Sequence, residues 1–352
     1  MTLKEKLQIF LITYNRENFL RKTFEQVLSE NSPIKDFDIT ILDNSSTDGT
    51  SELIDEYCKK YPNIKHIRHP HNIGGNANIV RAFEMGANCG KEYVWVLCDD
   101  DKYDFSNWQE LEEAINKKYD VIGVADYLFP DTKYKANPAY QVPQLTFVPA
   151  GIYRTELITS DILINMYDCI LTMFQQTCLS IDVINRNGSI YFLSKPLVFN
   201  GVNFDDGKLT DNSYTRGMSN KQPVLMQKKD NCWILGFIRV LTLLNDKNLR
   251  KRAINAAVSY KDIFGNFYKL YQSIFNHYFL SGKYHYFYEI YMSFDFWHKC
   301  LFYLTIPRIL LSNVLRFIFS IYNEDNRTKV FCFMGIKVRR ERKRKISVTN
   351  VN

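Results

Sequence analysis

At 352 residues the chain is longer than one ordinary hydrophobic core, which predicts a large domain with an appendage or two domains. The formal net charge of +7 is uneven, since Lys337 to Lys345 holds seven basic residues and one Glu, and the near-neutral remainder excludes a broad nucleic-acid surface. Eight cysteines without a C-x-x-C pair give neither a zinc site nor a disulfide framework, and they predict reduced thiols in the cytoplasm.

The polar start, Met1 to Lys6, is followed by only a short apolar run at Leu7 to Ile12. That predicts a first strand, Leu7 to Thr13, and not a signal peptide. Phe19, Leu20, Phe24, Val27 and Leu28 recur at helical spacing and predict a helix over Glu17 to Glu30. Phe37 to Leu42 reads as a second strand, whose turn-rich exit Asp43 to Thr50 caps a helix from Ser51 to Tyr61. Ile64 to Arg68 is a third strand, and His71 to Asn76 opens a helix through Cys89. Tyr93 to Cys98 is an apolar run without polar alternation, the pattern of a core strand in a parallel sheet. Strand and helix alternate in a parallel βαβ series, an α/β fold with a mostly parallel sheet. A helix over Ser106 to Lys117 and a strand over Asp120 to Val124 continue it. Tyr127 to Val148, rich in Pro and Tyr, predicts a loop over the sheet. Gly151 to Arg154 leads into a helical stretch through Asn185, then a strand at Ile190 to Leu193 and a polar loop at Phe204 to Lys221.

From Pro223 onward helices alone are predicted: Trp233 to Leu244, Leu249 to Phe264, Phe267 to Leu280 and Tyr284 to Trp297. The longest apolar stretch, Leu301 to Tyr322, contains Pro307, Arg308, Asn313 and Arg316, which argue against crossing a bilayer. Arg308, Ser312, Arg316 and Ser320 follow every four residues and form a polar stripe. It suits either a helix lying in a membrane interface or one packed on another helix. The chain thus divides into an α/β domain, 1–222, a helical region, 223–325, and a basic tail, 326–352.

The chemistry concentrates where Tyr93 to Cys98 ends in Asp99-Asp100-Asp101. In open α/β sheets the carboxyl ends of strands are where ligands bind. In extended backbone Asp99 and Asp101 leave on the same side, which suits one oxygen-ligated divalent ion. The alternative is an acidic turn that merely stops a strand. His66, His69 and His71 have irregular spacing without an acidic partner and read as surface histidines.

Four motifs, each at a strand exit, carry a resemblance. Thr13-Tyr14-Asn15-Arg16, Asp43 to Thr50, Asn72-Ile73-Gly74-Gly75 with Arg81, and Leu97 to Asp101 together resemble a family-2 glycosyltransferase of GT-A fold, of the bacterial surface-glycan type. Ile12 stands where that family commonly has Pro. The resemblance covers the α/β part and stops before the helical end. It implies metal-dependent inverting transfer from a nucleotide sugar, UDP-sugars foremost, to a glycan or lipid-linked acceptor. Donor-binding residues would be Thr13, Tyr14, Asn15, Asp43, Asn72, Gly74, Gly75, Arg81, Asp99 and Asp100. Asp99 and Asp101 would hold Mn2+ or Mg2+. Asp43 can accept from a pyrimidine N–H or serve an Asx-turn, Gly74 and Gly75 permit close backbone approach, and Arg81 can reach phosphate or be a solvated helix charge.

An inverting displacement needs a base for the acceptor hydroxyl. The family usually draws it from an acidic pair ahead of a glycine-containing turn, but counting back from Gly188 lands at Gln175-Gln176-Thr177. Asp168, taken as the catalytic residue, and Asp182 are the nearest substitutes, with Asp161, Asp205 and Asp206 as further candidates. A non-catalytic nucleotide-sugar scaffold and a sugar nucleotidyltransferase are the competing readings. A dinucleotide-dependent dehydrogenase is excluded, since no G-x-G-x-x-G follows the first strand. The aromatic end and basic segment over 301–345 suggest a cytoplasmic protein peripheral at the inner face of the cell membrane, on anionic lipid.

Overall fold

A computed structural model of the chain describes residues 2–125, 136–199, 201, 232–259, 267–280, 282–323, 328–333 and 336–341. A short helix α1 (Leu3–Lys6) leads into β1 (Leu7–Thr13). The chain then alternates through α2 (Glu17–Val27), β2 (Ile39–Asp43), α3 (Thr50–Lys60), β3 (Ile64–Arg68), α4 (Gly75–Ala87) and β4 (Tyr93–Cys98). The four strands lie parallel in the order β3-β2-β1-β4. Val94, Trp95, Val96 and Leu97 are wholly buried in β4, which is why that run shows no polar alternation. Each such side chain contributes about 1.5–3 kcal/mol.

Register sets the functional edge. Thr13 pairs with Asp43, Asp43 with Arg68, and Ile12 with Cys98, so the four strands end nearly level. Every motif loop therefore leaves from one edge of one sheet.

The sheet is not purely parallel. After a two-residue strand β5 (Lys102–Tyr103), helix α5 (Trp108–Asn116) and β6 (Val121–Gly123), the chain returns through β7 (Gly151–Arg154), which lies antiparallel between β4 and β6. β8 (Ile190–Phe192) completes the order β3-β2-β1-β4-β7-β6-β8, and β9 (Val198–Phe199) pairs with β5. The predicted loop over Tyr127 to Val148 contains a helix, α6 (Pro138–Gln144), capped by Asn137 and started by Pro138 at its first turn. The predicted helical stretch through Asn185 is broken into α7 (Ser160–Asp168) and α8 (Thr177–Asn185), with Met173 between them at φ 68°. The polar loop at Phe204 to Lys221 lies outside the described residues.

Among the described residues five α-helices follow: α9 (Cys232–Leu241), α10 (Lys247–Ser259), α11 (Phe267–Ile274), α12 (Tyr284–Ser293) and α13 (Phe296–Ile318). The expectation of helices alone, followed by a basic tail, needs correcting. β10 (Phe319–Asn323), β11 (Thr328–Phe333) and β12 (Ile336–Glu341) form a three-stranded antiparallel meander against α13. The signal lay in the alternation of apolar and basic residues from Ile336 to Arg339, a period of two.

Candidate functional site

The β1 exit is tied to the β2 exit. Asn15, at φ 51°, donates its backbone N–H to Ser46 Oγ at 2.9 Å and accepts from the Thr47 backbone N–H at 2.6 Å. Arg16 donates its backbone N–H to Thr50 at 3.0 Å. Tyr14 sits half-buried between them. Short polar side chains in a left-handed turn can do this because they hydrogen-bond local backbone.

Asp43 is fully buried and takes the turn role. Its Oδ1 accepts from the Ser46 backbone N–H at 2.9 Å and from Ser46 Oγ at 2.6 Å, and its Oδ2 accepts from the Ser51 hydroxyl. Burial pushes its carboxyl up, but the hydrogen bonds of His66, Ser46 and Ser51 outweigh this and bring it down to about 2. His66 is not a surface histidine without an acidic partner: its Nδ1 lies 2.7 Å from Asp55 and its Nε2 3.7 Å from Asp43. Burial lowers it, and the two carboxylates more than compensate, holding it above its ordinary value. Parallel pairing of β2 with β3 brings His66 there, which no local spacing reveals.

His69 likewise proves buried. Its Nε2 lies 2.9 Å from Asn78 Oδ1 and its Nδ1 2.9 Å from an Arg81 guanidinium nitrogen. Burial and then the Arg81 charge depress it, so its Nδ1 accepts from Arg81. Arg81 is thereby a strut between α4 and the β3 exit, in place of a solvated charge. His71 is exposed, as expected.

At the start of α4, Gly74 has φ 87°, which L side chains rarely adopt, and a Cβ on Gly74 or Gly75 would meet open space. Asn72 accepts from Gly74 N–H at 2.8 Å and from Asn44 at 2.9 Å, while its own Nδ2 is buried without a partner among the described residues.

The acidic triplet is held from behind by α2. Thr23 donates to the Asp99 carbonyl at 2.9 Å and Gln26 to the Asp101 carbonyl at 3.2 Å. Asp99 is buried and accepts from Thr13 at 2.6 Å and from Arg16 at 3.1 Å; Arg16 also pairs with Asp100. Burial works against the Arg16 charge, but Asp99 and Asp100 outweigh it and hold the guanidinium above its ordinary value. Sequence reasoning treated Arg16 only as part of a motif; three consecutive carboxylates facing a strand exit are the signal that a counter-ion stands there.

Asp101 is the exception. Its Oδ1 accepts from Gly201 N–H at 3.2 Å, yet its Oδ2 is buried with no partner among the described residues. Burial, then the Asp100 charge, pushes its carboxyl well above the ordinary range. A buried carboxylate oxygen without a donor suits a cation. Among the described residues no three His, Cys, Asp or Glu side chains cluster as a metal site, so any ion here would complete its shell with phosphate and water.

Gln175 and Gln176 are fully buried beside α4. Gln175 Nε2 reaches the Asn76 carbonyl at 3.5 Å, Gln176 Nε2 donates to the Thr146 carbonyl at 2.6 Å, and both Oε1 atoms are unmatched among the described residues. Asp168 is exposed at the end of α7, two residues before Ile170, whose carbonyl accepts from Asn76 at 2.6 Å. Asp182 is paired with Arg186 at 2.8 Å, and Asp161 is exposed in the first turn of α7. Asp205 and Asp206 lie outside the described residues.

Comparison with known proteins fits this geometry. An uncharacterized glycosyltransferase of Mycoplasma pneumoniae is 22% identical over 211 residues, covering 56% of this chain and 68% of that protein. The poly(ribitol-phosphate) beta-glucosyltransferase of Bacillus spizizenii is 30% identical over 165 residues, covering 44% of this chain and 26% of that one. Among solved structures, S. aureus TarS 1-349 in complex with UDP-GlcNAc superposes with a TM-score of 0.57 at 15% identity, covering 93% of this chain and 97% of that chain. At that identity the likeness shows the fold alone, and the fold is GT-A with a helical region after it. The model described as glycosyl transferase family 2 matches residues 8–181 and takes in every strand exit that builds the site; the chain belongs to that family of sugar transferases.

Proposed function

We propose that the protein transfers a sugar from a nucleotide-sugar donor, a UDP-sugar first, to a hydroxyl of a glycan or lipid-linked acceptor, with inversion at the anomeric carbon. The observation that carries this reading is the buried Asp101 Oδ2, without a partner among the described residues, at the carboxyl end of β4, beside Asp99, Asp100 and the Arg16 guanidinium. Asp101 would hold Mn2+ or Mg2+, with Asp99 next to it. Such an ion, when bound, neutralises charge gathering on a departing diphosphate.

The chain's own groups supply the rest. Asp43 keeps the β2 exit folded and retains acceptor capacity for a pyrimidine N–H. Thr13, Tyr14 and Asn15 form the adjoining wall. Gly74 and Gly75 leave open space at a helix N-terminus, a favourable place for phosphate, and Asn72 Nδ2 offers a donor there. Arg81, braced by His69, fixes that helix and adds positive charge behind it. Asp168 is assigned as the base, because the amides of Gln175 and Gln176 accept no proton at neutral pH. The TarS structure of the same fold, which holds UDP-GlcNAc, supports UDP-sugars as the first donors to try. A cytoplasmic protein at the inner face of the membrane would meet both a nucleotide sugar and a lipid-linked acceptor.

Thermal shift with a panel of nucleotide sugars, with and without Mn2+, tests the donor half. A true donor at a hundred times its Kd adds about 2.7 kcal/mol of stability. Asp101→Ala is expected to lower transfer at least about a hundredfold, since Lewis-acid relief contributes several kcal/mol. Asp168→Asn should lose transfer and keep donor binding. No shift with any nucleotide sugar would sink the proposal. The buried Gln175-Gln176 pair favours one second reading, a binder without turnover; donor binding with no hydrolysis or transfer by the unaltered protein would establish it.

A further inference from the structure

Helix α13 is arranged inside out for a protein in water. Ser312 and Asn313 turn inward to α11 and the turn after it: Ser312 accepts from Gln272 at 3.3 Å, and Asn313 donates to Asn276 at 2.7 Å. The Arg308 guanidinium lies 4.5 Å from the Tyr268 ring centroid. Of the polar stripe predicted from sequence, Ser312 packs on α11, Arg308 lies over Tyr268 while exposed, and Ser320 falls in β10 rather than on the helix. Arg308 apart, the outward positions described are apolar: Leu304, Leu311, Leu315 and Phe317 are 76%, 59%, 55% and 59% exposed. A surface helix normally shows the opposite arrangement.

The adjoining meander repeats the pattern. Phe319 pairs with Phe333 and Phe333 with Ile336, while Phe331 pairs with Val338, which places all five on one face of the sheet. Phe319, Phe333, Ile336 and Val338 are each more than half exposed, whereas Val330 and Cys332 on the other face are buried. β12 also opens the basic segment: of the chain's net +7, the stretch from Lys337 to Lys345 carries +6. Arg339 and Arg340 within it are exposed.

The charge decides what covers this surface. Protein interfaces have cores depleted in lysine and other charges, whereas an apolar face beside a polybasic segment provides the two signals that stable attachment to anionic lipid requires. Trp297 and Tyr303, amphipathic rings suited to the headgroup level, are also largely exposed on α13. Among the described residues no helix is long and apolar enough to cross a membrane. We infer that the outward side of α13 together with the outer face of the β10–β12 sheet is a docking surface for an anionic lipid bilayer, on which the protein lies without spanning it. The inference rests on the proposed function only for its purpose, delivery of a lipid-linked acceptor.

The test is sedimentation of the full chain with vesicles of phosphatidylglycerol and phosphatidylcholine, against phosphatidylcholine alone. Binding is expected to the anionic vesicles and to weaken with salt. The double variant Arg339→Gln/Arg340→Gln should lower the affinity about fivefold per charge, and Ile336→Ser/Val338→Ser about tenfold per residue, with melting temperatures unchanged. Failure of anionic vesicles to retain the protein, or retention unaltered in both variants, overturns the inference. If Ile336→Ser/Val338→Ser instead splits a dimer that vesicles never retain, the face joins copies of this chain and the lipid surface is refuted. UDP binding, measured on the same samples, separates the two proposals: vesicle retention without UDP binding upholds the surface and counts against the donor reading.

Discussion

The carboxyl edge of the catalytic sheet and the outer side of α13 solve opposite problems. At the sheet edge, charged and polar groups are buried and almost every one has a named partner: Asp43 with Ser46 and Ser51, Asp99 with Thr13 and Arg16, His69 with Asn78 and Arg81. On α13, large apolar groups are exposed while Ser312 and Asn313 are tucked in. A buried polar network is costly when incomplete, so its gaps are informative, and the gap at Asp101 among the described residues is what supports the proposed ion there. An exposed apolar face costs little in folded stability, so its persistence points to something outside the chain.

Three measurements sharpen or break this contrast. The largest effect should come from Arg16→Met, which leaves Asp99 and Asp100 as uncompensated carboxylates at a mostly buried position. Urea unfolding is expected to show a loss of about 3 kcal/mol; a loss under about 0.5 kcal/mol, the ordinary surface range, would mean the edge tolerates unpaired charge.

Asp43→Asn should cost about 2 kcal/mol at neutral pH, the value of holding that carboxyl at about 2 against its ordinary 3.8. The folded-state value is the depressed one, so the contribution is fully present above pH 4 and disappears as pH falls toward 2. The stability difference between the variant and the unaltered protein is therefore expected to close over that window. A difference that stays constant to pH 2 would contradict the assignment of the turn to an ionised Asp43.

The smallest effect belongs to the other region. Leu304→Ser and Trp297→Ser sit at positions 76% and 73% exposed and should change unfolding free energy by no more than about 0.5 kcal/mol. A loss of 2 kcal/mol or more would show that these side chains pack within the fold and would weaken the contrast.

Local pattern revealed the catalytic half well. Apolar runs that stop abruptly at Thr13, Asp43 and Cys98 mark strand exits, and parallel pairing then brings the exits together. It did not reveal β7, because four residues of mixed character, from Gly151 to Arg154, carry no sign of an antiparallel return; their partners lie far away in sequence. The partners of His66 and His69 were hidden for the same reason. Phe319 to Tyr322 read as the end of a helix because the apolar run from Leu301 has no breaker between Ile318 and Phe319. The basic charge around Arg339 masked a strand alternation that was present in the residues themselves.

Arg16 places a positive charge between Asp99 and Asp100 from the start. A site that brings its own cation to two of its three carboxylates does not wait for a metal ion in order to fold. If the proposed ion is required for transfer, a chelator should abolish transfer while the apo protein still unfolds cooperatively, with its melting temperature lowered only by the binding energy of the ion it loses.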